Sequence, residues 1–172
     1  MEQLRIYRIS DKYVNFLSKV DPKVQHNKNK RRPYVGIVLY VGEYRYFVPM
    51  ESPKPNHANI KSGRHIMRLD GGSLGLLGFN NMIPVPDNAL IVFDIDSEPD
   101  RAYADLLRRQ AAFINKNKAD VLSRASATYY KAIKGNNDFL NNICCNFKEL
   151  ERASTRYNPN YKPKKRPYNG NA

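Results

Sequence analysis

The chain of 172 residues lacks tryptophan and has cysteine only at the adjacent positions 144 and 145. Neighbouring cysteines rarely form a disulfide with each other, and no Cys/His spacing here resembles a zinc site. We therefore expect free thiols, as a reducing cytoplasm permits. No apolar run approaches the ~20 residues of a membrane span, and the first residues lack the apolar core of a signal peptide. These absences predict a soluble, cytoplasmic protein.

Acidic residues are also scarce. The 16 Asp and Glu residues stand against 29 Lys and Arg residues, so the formal net charge is +13 and polyanions should be attracted. Because the basic residues are clustered, a polyanion-binding surface is favoured over a merely basic, solvated one. A membrane surface is a poorer partner, since no amphipathic helix combines a basic face with a bulky apolar one.

Apolar residues make up 41% of the chain, which is enough for a buried core. Alternation and turn residues predict a strand at 5–9 and a hairpin of strands 34–41 and 44–49 that turns at Gly42-Glu43. The strand 34–41 is nearly all apolar and should be central. Pro49 should end its partner, because proline cannot donate to a ladder.

The remaining pattern predicts shorter strands and then helices. Expected strands lie at 66–69 and 89–95, and expected helices lie at 11–19, 100–115, 119–134 and 147–156. The fold class is therefore α+β, with a strongly bent antiparallel β-sheet or small barrel and helices packed on it. We expect residues 1–157 to be a single domain and residues 158–172 to be a basic, flexible tail.

A short run after the hairpin carries most of the chemistry. It reads Glu51-Ser52-Pro53-Lys54-Pro55-Asn56-His57. Cleaving RNA without a metal needs a base for the 2′-OH, a proton for the leaving 5′-oxygen and positive charge near the phosphoryl oxygens. Candidates for these roles are Tyr13, Arg32, Ser52, Lys54 and His57.

Each candidate also has a structural interpretation. Ser52-Pro53 is an ordinary turn former, and Lys54 can be an exposed lysine without a role. Tyr13 lies on the apolar face of its helix and can be core, while His57 can orient the loop by hydrogen bonding. Arg32 can simply hold a phosphate.

Metal and nucleotide motifs are weak in this chain. Asp94 and Asp96 place two carboxylates on one side of the predicted strand 89–95, but no third acidic ligand is near in sequence. Gly71-Gly72-Ser73-Leu74-Gly75 is rich in glycine but lacks the lysine of a P-loop. We therefore expect no metal and no cofactor.

Several motifs together resemble the ToxN/AbiQ endoribonucleases, the toxins of type III toxin–antitoxin systems, and among them the CptN-type toxins. The resemblance runs from about Arg5 to Tyr157. Its motifs are Tyr7-Arg8-Ile9-Ser10-Asp11-Lys12-Tyr13, Arg32-Pro33-Tyr34-Val35-Gly36-Ile37-Val38, Pro49-Met50-Glu51-Ser52-Pro53-Lys54, Asn81-Met82-Ile83-Pro84-Val85 and Cys145-Asn146-Phe147.

The resemblance implies a Kid/MazF-like core and metal-independent cleavage to a 2′,3′-cyclic phosphate and a 5′-OH. It also implies inhibition by a small repeated RNA that folds into pseudoknots, which the toxin cuts from its precursor and binds in closed assemblies. Cellular or phage mRNA would be the substrate, and growth arrest or abortive infection the setting. Neither DNA nor a membrane is an expected partner.

The family's active-site residues fall on Tyr13, Ser52 and Lys54. A family lysine is replaced by Arg32, which cannot act as a base at ordinary pH and so favours phosphate binding. A family threonine is replaced by Glu51, which is either the base or a bystander. An unpaired carboxylate beside RNA phosphate is unfavourable, so we expect Glu51 to pair with Lys54 or Arg32.

The basic loop 22–32 and other basic side chains are expected to bind RNA. They are Lys23, Lys28, Lys30, Arg31, Lys61, Arg64, Lys164 and Lys165. Twelve tyrosines offer stacking platforms for unpaired bases. The alternatives to a toxin ribonuclease are a non-catalytic RNA-binding module and a structural ribosome-associated protein.

Overall fold

The computed structural model describes residues 2–29, 31–61 and 63–162, so the expectations at Lys30, Lys164 and Lys165 lie outside the described residues. Strands make up most of the first half, with one α-helix after the first strand, and helices make up the second half. In chain order the elements are β1 (Arg5–Ile9), α1 (Asp11–Val20), β2 (Tyr34–Val41), β3 (Tyr44–Glu51), β4 (Ile66–Leu69), β5 (Gly75–Gly78), β6 (Ile83–Pro84), β7 (Leu90–Val92), α2 (Arg101–Lys116), α3 (Lys118–Ile133), α4 (Asp138–Ile143) and α5 (Phe147–Arg156).

The strands form a 7-stranded antiparallel sheet in the order β4-β5-β3-β2-β1-β7, with β6 paired to β3. The apolar strand β2 lies between β1 and β3, as predicted. Within the described residues β4 and β7 end the path without pairing to each other, so the sheet is open and does not close into a barrel. Helix α2 packs against β4, helix α3 against β2 and helix α5 against β6. The α+β class is confirmed.

Pro49 does not end β3, contrary to the prediction. Pro49 pairs with Tyr34, and the next residue restores the ladder because the Met50 amide donates to the Pro33 carbonyl at 3.0 Å. Met50 and Glu51 also pair with Leu77 and Leu76 of β5. The strand therefore delivers Glu51, still in extended backbone, to the edge where the candidate loop begins.

The predicted strand 89–95 is shortened to Leu90–Val92. Asp94 ends it by capping a 3₁₀ turn at Ile95–Ser97, where its side chain accepts from the Asp96 amide at 3.1 Å and from the Ser97 hydroxyl at 2.6 Å. The two carboxylates therefore do not lie on one side of a strand. Helix α4 was not predicted; it is short and is capped by Asn137.

The C-terminal helix α5 holds the core together around a buried carboxylate. Its cap at Asn146 and its bounds agree with the prediction. Glu151, 4% exposed, accepts hydrogen bonds from the Tyr46 hydroxyl at 2.9 Å and the Tyr129 hydroxyl at 2.5 Å. Lys148 lies 3.5 Å from its other oxygen. Such a buried charge is tolerated because it is fully hydrogen-bonded and paired.

Cys144 and Cys145 are free and buried, as expected. Burial raises the pKa of Cys144 to about 11 and that of Cys145 to about 12, so both remain thiols at neutral pH. None of the described helices combines the length and the hydrophobicity that crossing a membrane requires.

Candidate active site

The candidate loop begins where β3 ends. Glu51 is the last residue of the strand, and Pro53 and Pro55 prevent the ladder from continuing. Pro55 starts a 3₁₀ turn, Pro55–Asn59, and the His57 amide donates to the Lys54 carbonyl at 3.0 Å. The chain therefore turns sharply, and side chains at positions 51, 54 and 57 come together.

Glu51 is the centre of this cluster. Its Oε2 atom lies 3.9 Å from Lys54 Nζ and 3.6 Å from His57 Nε2. The Glu51–Lys54 pairing expected from the sequence is confirmed. The carboxylate is one-third exposed and the Lys54 side chain is 57% exposed, so both can reach a ligand that lies on the loop.

His57 supports the cluster from below. The residue is 1% exposed, and its Nδ1 atom accepts a hydrogen bond from the Lys54 amide at 3.3 Å. Because Nδ1 is an acceptor, a neutral ring carries its proton on Nε2, which faces Glu51. The imidazole therefore links the Lys54 backbone to the Glu51 carboxylate, and its burial keeps it from contacting a large ligand directly.

Arg32 approaches the same cluster from the start of β2. Arg32 and Glu51 line one pocket of about 120 Å³, together with Gln25, Asn80 and Asn81. The Arg32 guanidinium is buried and its Nε donates to the His26 carbonyl at 2.8 Å. An arginine with a fixed orientation next to a carboxylate and several amides is suited to hold an anionic group.

The basic loop 22–32 reaches this cluster through Lys28. Burial and then the nearby cations Arg32 and Lys54 lower the pKa of Lys28, while Glu51 raises it. The loop is fixed in part by Asn27, whose side-chain amide donates to the Ile9 carbonyl at 2.8 Å. The charges of Arg32 and Lys54 therefore act on the Lys28 ammonium.

The glycine-rich run 71–75, for which no role was predicted, supports the loop. A Cβ on Gly75 would lie 1.9 Å from the Glu51 carbonyl oxygen, and one on Gly72 would lie 2.9 Å from the His57 carbonyl carbon. Both glycines have positive φ, +105° and +98°. In addition, the Arg68 guanidinium donates to the Ala58 carbonyl at 2.8 Å. The repeated glycines were the only sequence signal for this close approach.

Tyr13 lies apart from the loop. It is fully buried, its hydroxyl donates to the Pro84 carbonyl, and its ring packs against Tyr157 and Phe16. Burial raises its pKa well above the ordinary value. Among the described residues no hydrogen bond or ring contact joins Tyr13 to positions 51–57, so this structure places it in the core.

The remaining predicted residues are spread over the surface. Ser52 is exposed on the loop. Lys23 donates to the Asn141 carbonyl at 3.1 Å and Arg31 is exposed next to Arg32. Lys61 and Arg64 line a separate cleft beside the candidate loop.

The described residues contain no group of three or more His, Cys, Asp or Glu side chains that could hold a metal ion. Asp96 instead pairs with Arg108 at 2.9 Å. The cluster and the adjoining pocket offer a carboxylate, an ammonium, a buried imidazole and a buried guanidinium, and the Ser52 hydroxyl is exposed on the same loop.

Comparison with known proteins decides the family. A family model described as toxin ToxN of type III toxin–antitoxin systems matches residues 5–155. The chain belongs to this family. Endoribonuclease ToxN of Bacillus thuringiensis subsp. kurstaki is 30% identical to it over 171 residues, which cover 94% of this chain and 88% of that protein. Endoribonuclease AbiQ of Lactococcus lactis subsp. lactis is 29% identical over 165 residues, 90% of this chain and 89% of AbiQ.

Solved structures of the family share the fold. That of AbiQ, a lactococcal anti-phage endoribonuclease, matches with a TM-score of 0.82 at 28% identity and covers 91% of this chain and 98% of that chain. A second solved structure is that of a type III system in which a non-coding RNA pseudoknot selectively inhibits the toxin. It matches with a TM-score of 0.79 at 28% identity and covers 91% of this chain and 98% of that chain. The family model's range, residues 5–155, includes the candidate loop.

Proposed function

We propose that this protein is an endoribonuclease toxin of a type III toxin–antitoxin system. The observation that carries the proposal is the Glu51–Lys54–His57 cluster at the end of β3, in a chain of the ToxN family whose net charge is +13. Cellular or phage mRNA is the proposed substrate, and arrest of growth during phage infection is the proposed consequence.

The proposed reaction needs no metal. Glu51 takes the proton of the 2′-OH, which attacks the adjacent phosphorus and leaves a 2′,3′-cyclic phosphate and a 5′-OH. Lys54 and Arg32 stabilise the charge that develops on the phosphoryl oxygens, and Lys54 carries a proton for the leaving 5′-oxygen. The exposed Ser52 hydroxyl donates to the phosphate.

The buried residues take supporting roles in this proposal. His57 is 1% exposed, and we assign it the positioning of Glu51 and of the Lys54 backbone. Tyr13 fixes α1 against β6 and α5 through Pro84 and Tyr157. Neither side chain contacts RNA in this arrangement.

The proposed inhibitor is a small repeated RNA that folds into a pseudoknot, is cut from its precursor by the toxin and joins it in a closed protein–RNA assembly. The relatives support this partner, and the exposed Lys28, Arg31, Lys61 and Arg64 offer it a basic surface around the loop. A small RNA of defined length should copurify with the protein. A preparation that is free of RNA when expressed together with its neighbouring repeat locus would contradict this partner.

Cleavage in a chelator tests the reaction. Purified protein incubated with an A-rich single-stranded RNA and EDTA should give 2′,3′-cyclic phosphate ends. Lys54→Ala should abolish the cleavage and leave the fold intact, whereas Lys116→Ala, an exposed lysine at the end of α2, should cleave normally. Full activity of Lys54→Ala would refute the assigned site. RNA binding without cleavage by the unmodified protein would instead favour a non-catalytic RNA-binding module.

A further inference from the structure

A second basic cleft lies beside the candidate loop and has no role in the proposed reaction. It has a volume of about 330 Å³, and the lining side chains that matter here are Lys61, Arg64, His65, Lys131, Asn137 and Phe139. We call it the His65–Phe139 cleft. It joins the segment after the 3₁₀ turn to helices α3 and α4.

Phe139 is the unusual residue of this cleft. Its ring is 58% exposed, although phenylalanine is usually buried, and it meets the His65 ring edge-on at 5.3 Å between centroids. Burial lowers the pKa of His65, so its imidazole is neutral at neutral pH. A single exposed aromatic residue needs no explanation. Phe139, however, lines a cleft and contacts a second, neutral ring, that of His65.

The charge of the cleft is of one sign. Lys61, Arg64 and Lys131 line it, and none of its described lining residues is acidic. Cations around an open aromatic ring suit an anion that also carries a flat ring. An unpaired nucleotide has both, because its phosphate attracts the cations and its base can stack.

The cleft is held in shape by α3. The Arg124 guanidinium donates to the carbonyls of Gly63 and Ile66 at 2.9 and 2.8 Å, and Arg64 donates to the Ser123 hydroxyl at 2.7 Å. The His65 carbonyl accepts from the Phe79 amide at 2.8 Å. The floor is therefore preorganised, which reduces the entropy that a ligand loses on binding.

The cleft and the candidate active site are lined by adjoining parts of one backbone segment. Ile66 lines the pocket that contains Glu51 and Arg32, and His65, the preceding residue, lines the cleft. The backbone that bounds the pocket at Ile66 therefore bounds the cleft one residue earlier, at a Cα spacing of about 3.8 Å. A strand that crosses the candidate loop therefore has a place for a base in this cleft.

We propose that the His65–Phe139 cleft binds one unpaired nucleotide of the RNA strand, with the base against Phe139 and the phosphate near Arg64 and Lys131. This inference rests on the proposed function, because it takes the bound polyanion to be single-stranded RNA. It adds a subsite for a nucleotide that is not the one cleaved.

The test uses a fully 2′-O-methylated single-stranded oligonucleotide, which cannot be cleaved by 2′-OH attack. Affinity is measured by fluorescence anisotropy for the unmodified protein and for Phe139→Ala. We expect binding to weaken by about 5- to 150-fold, the usual loss for one base stacked on an aromatic residue. Phe139→Trp should retain binding. Tyr130→Ala removes a similarly exposed aromatic residue of α3, outside the cleft, and should bind normally.

Abasic substitutions along the oligonucleotide locate the stacked base. Against the unmodified protein, removal of one particular base should weaken binding, and against Phe139→Ala the same removal should have no further effect. The same sequence as a duplex should bind both proteins equally, since paired bases are not available for stacking. The proposal would be overturned if Phe139→Ala weakened the binding of duplex and single strand equally. It would also be overturned if no abasic substitution weakened binding to the unmodified protein more than binding to Phe139→Ala. Failure of the proposed cleavage would leave these binding results unchanged, so the two failures are distinguishable.

Discussion

His57 Nε2 lies 3.6 Å from Glu51 Oε2, and Nδ1 of the same ring accepts a hydrogen bond from the Lys54 backbone amide at 3.3 Å. One buried imidazole thus touches both residues to which the proposed reaction assigns proton transfer. Its position depends on the glycine run, because Gly72 packs against the His57 backbone. The glycine run therefore packs under His57, and His57 in turn contacts the exposed Glu51 carboxylate and the backbone of Lys54.

Replacing His57 should lower the cleavage rate more than the affinity for RNA. Without the imidazole, the Lys54 amide loses its hydrogen-bond acceptor and the Glu51 carboxylate loses its contact with Nε2. Both catalytic groups can then shift, and a misplacement of about 1 Å can lower the rate about 100-fold. We expect His57→Ala to reduce kcat by about that factor with little change in the affinity for 2′-O-methyl RNA. His57→Asn, whose side-chain oxygen can accept from the Lys54 amide, should restore part of the rate. Equal loss in both variants would contradict the positioning role.

Gly75→Ala should disrupt the site through the backbone of Glu51. The added Cβ would lie 1.9 Å from the Glu51 carbonyl oxygen, at a φ of +105° that alanine rarely adopts. We expect a loss of stability of about 1–3 kcal/mol and a large loss of cleavage.

Gly71→Ala is the matched control for that variant. Gly71 also has positive φ, +63°, but a Cβ there meets nothing within 4 Å. It should cost about 1–2 kcal/mol of stability through strain alone and keep its activity. Chemical denaturation and cleavage assays on both variants separate the two effects. Wild-type cleavage by Gly75→Ala would show that the contact does not position the loop.

Local patterns predicted the elements around the site well. The hairpin, the central β2, the Asn146 cap and the pairing of Glu51 with Lys54 all depend on residues close in sequence, where periodicity and turn chemistry decide. The continuation of β3 past Pro49 was missed because its hydrogen bonds come from Met50 and from a strand that begins at Gly75.

The sequence could not reveal which candidates meet in space. The spacing of Tyr13 fitted both an active site and a core, and only tertiary packing against Tyr157 places it in the core. The glycine run was compared with phosphate loops because nothing in the sequence shows that it lies under His57. Phe139 was not predicted at all, since its partner His65 is far away along the chain.

Glu51→Gln tests the proposed base. The amide keeps the shape of the side chain but cannot take a proton, so cleavage should slow by about 10²- to 10⁴-fold. Binding of 2′-O-methyl RNA should tighten, because a negative charge next to the phosphates is removed. Glu51→Thr replaces the carboxylate with a hydroxyl and should show whether Ser52 and Lys54 suffice for cleavage. Cleavage by Glu51→Gln at the wild-type rate would exclude Glu51 as the base.

Stability should fall at alkaline pH as Tyr129 ionises. Burial and the hydrogen bond to Glu151 raise its pKa to about 12. The folded state therefore holds this proton more tightly than the unfolded chain, in which tyrosine titrates near pH ~10. This contribution is fully present below pH ~10 and is lost as the pH rises towards about 12.

Urea denaturation across that range measures the effect. The pKa values of Tyr13, Tyr34 and Tyr46 are also raised by burial, so the unmodified protein should lose stability through several groups. Tyr129→Phe should lose stability less steeply between pH ~10 and about 12, whatever its stability at neutral pH. An identical slope in the two proteins would show that Tyr129 does not titrate in this window. Tyr40→Phe, at an exposed position, is the control and should leave the slope unchanged.

RNA affinity should depend steeply on salt, with Lys28 as one measurable contributor. Burial and then the cations Arg32 and Lys54 lower the pKa of Lys28, which is exposed on the basic loop. A phosphate bound there releases condensed counterions, and each neutralised charge adds about 0.7 to the slope of log affinity against log salt for a single strand. Lys28→Ala should reduce the slope for 2′-O-methyl RNA by about that amount, whereas Lys116→Ala should not change it. Because the gain from counterion release shrinks as the salt concentration rises, removal of Lys28 should weaken binding less at high salt than at low salt. An affinity that does not vary with salt, or a slope that Lys28→Ala leaves intact, would show that RNA does not use this loop.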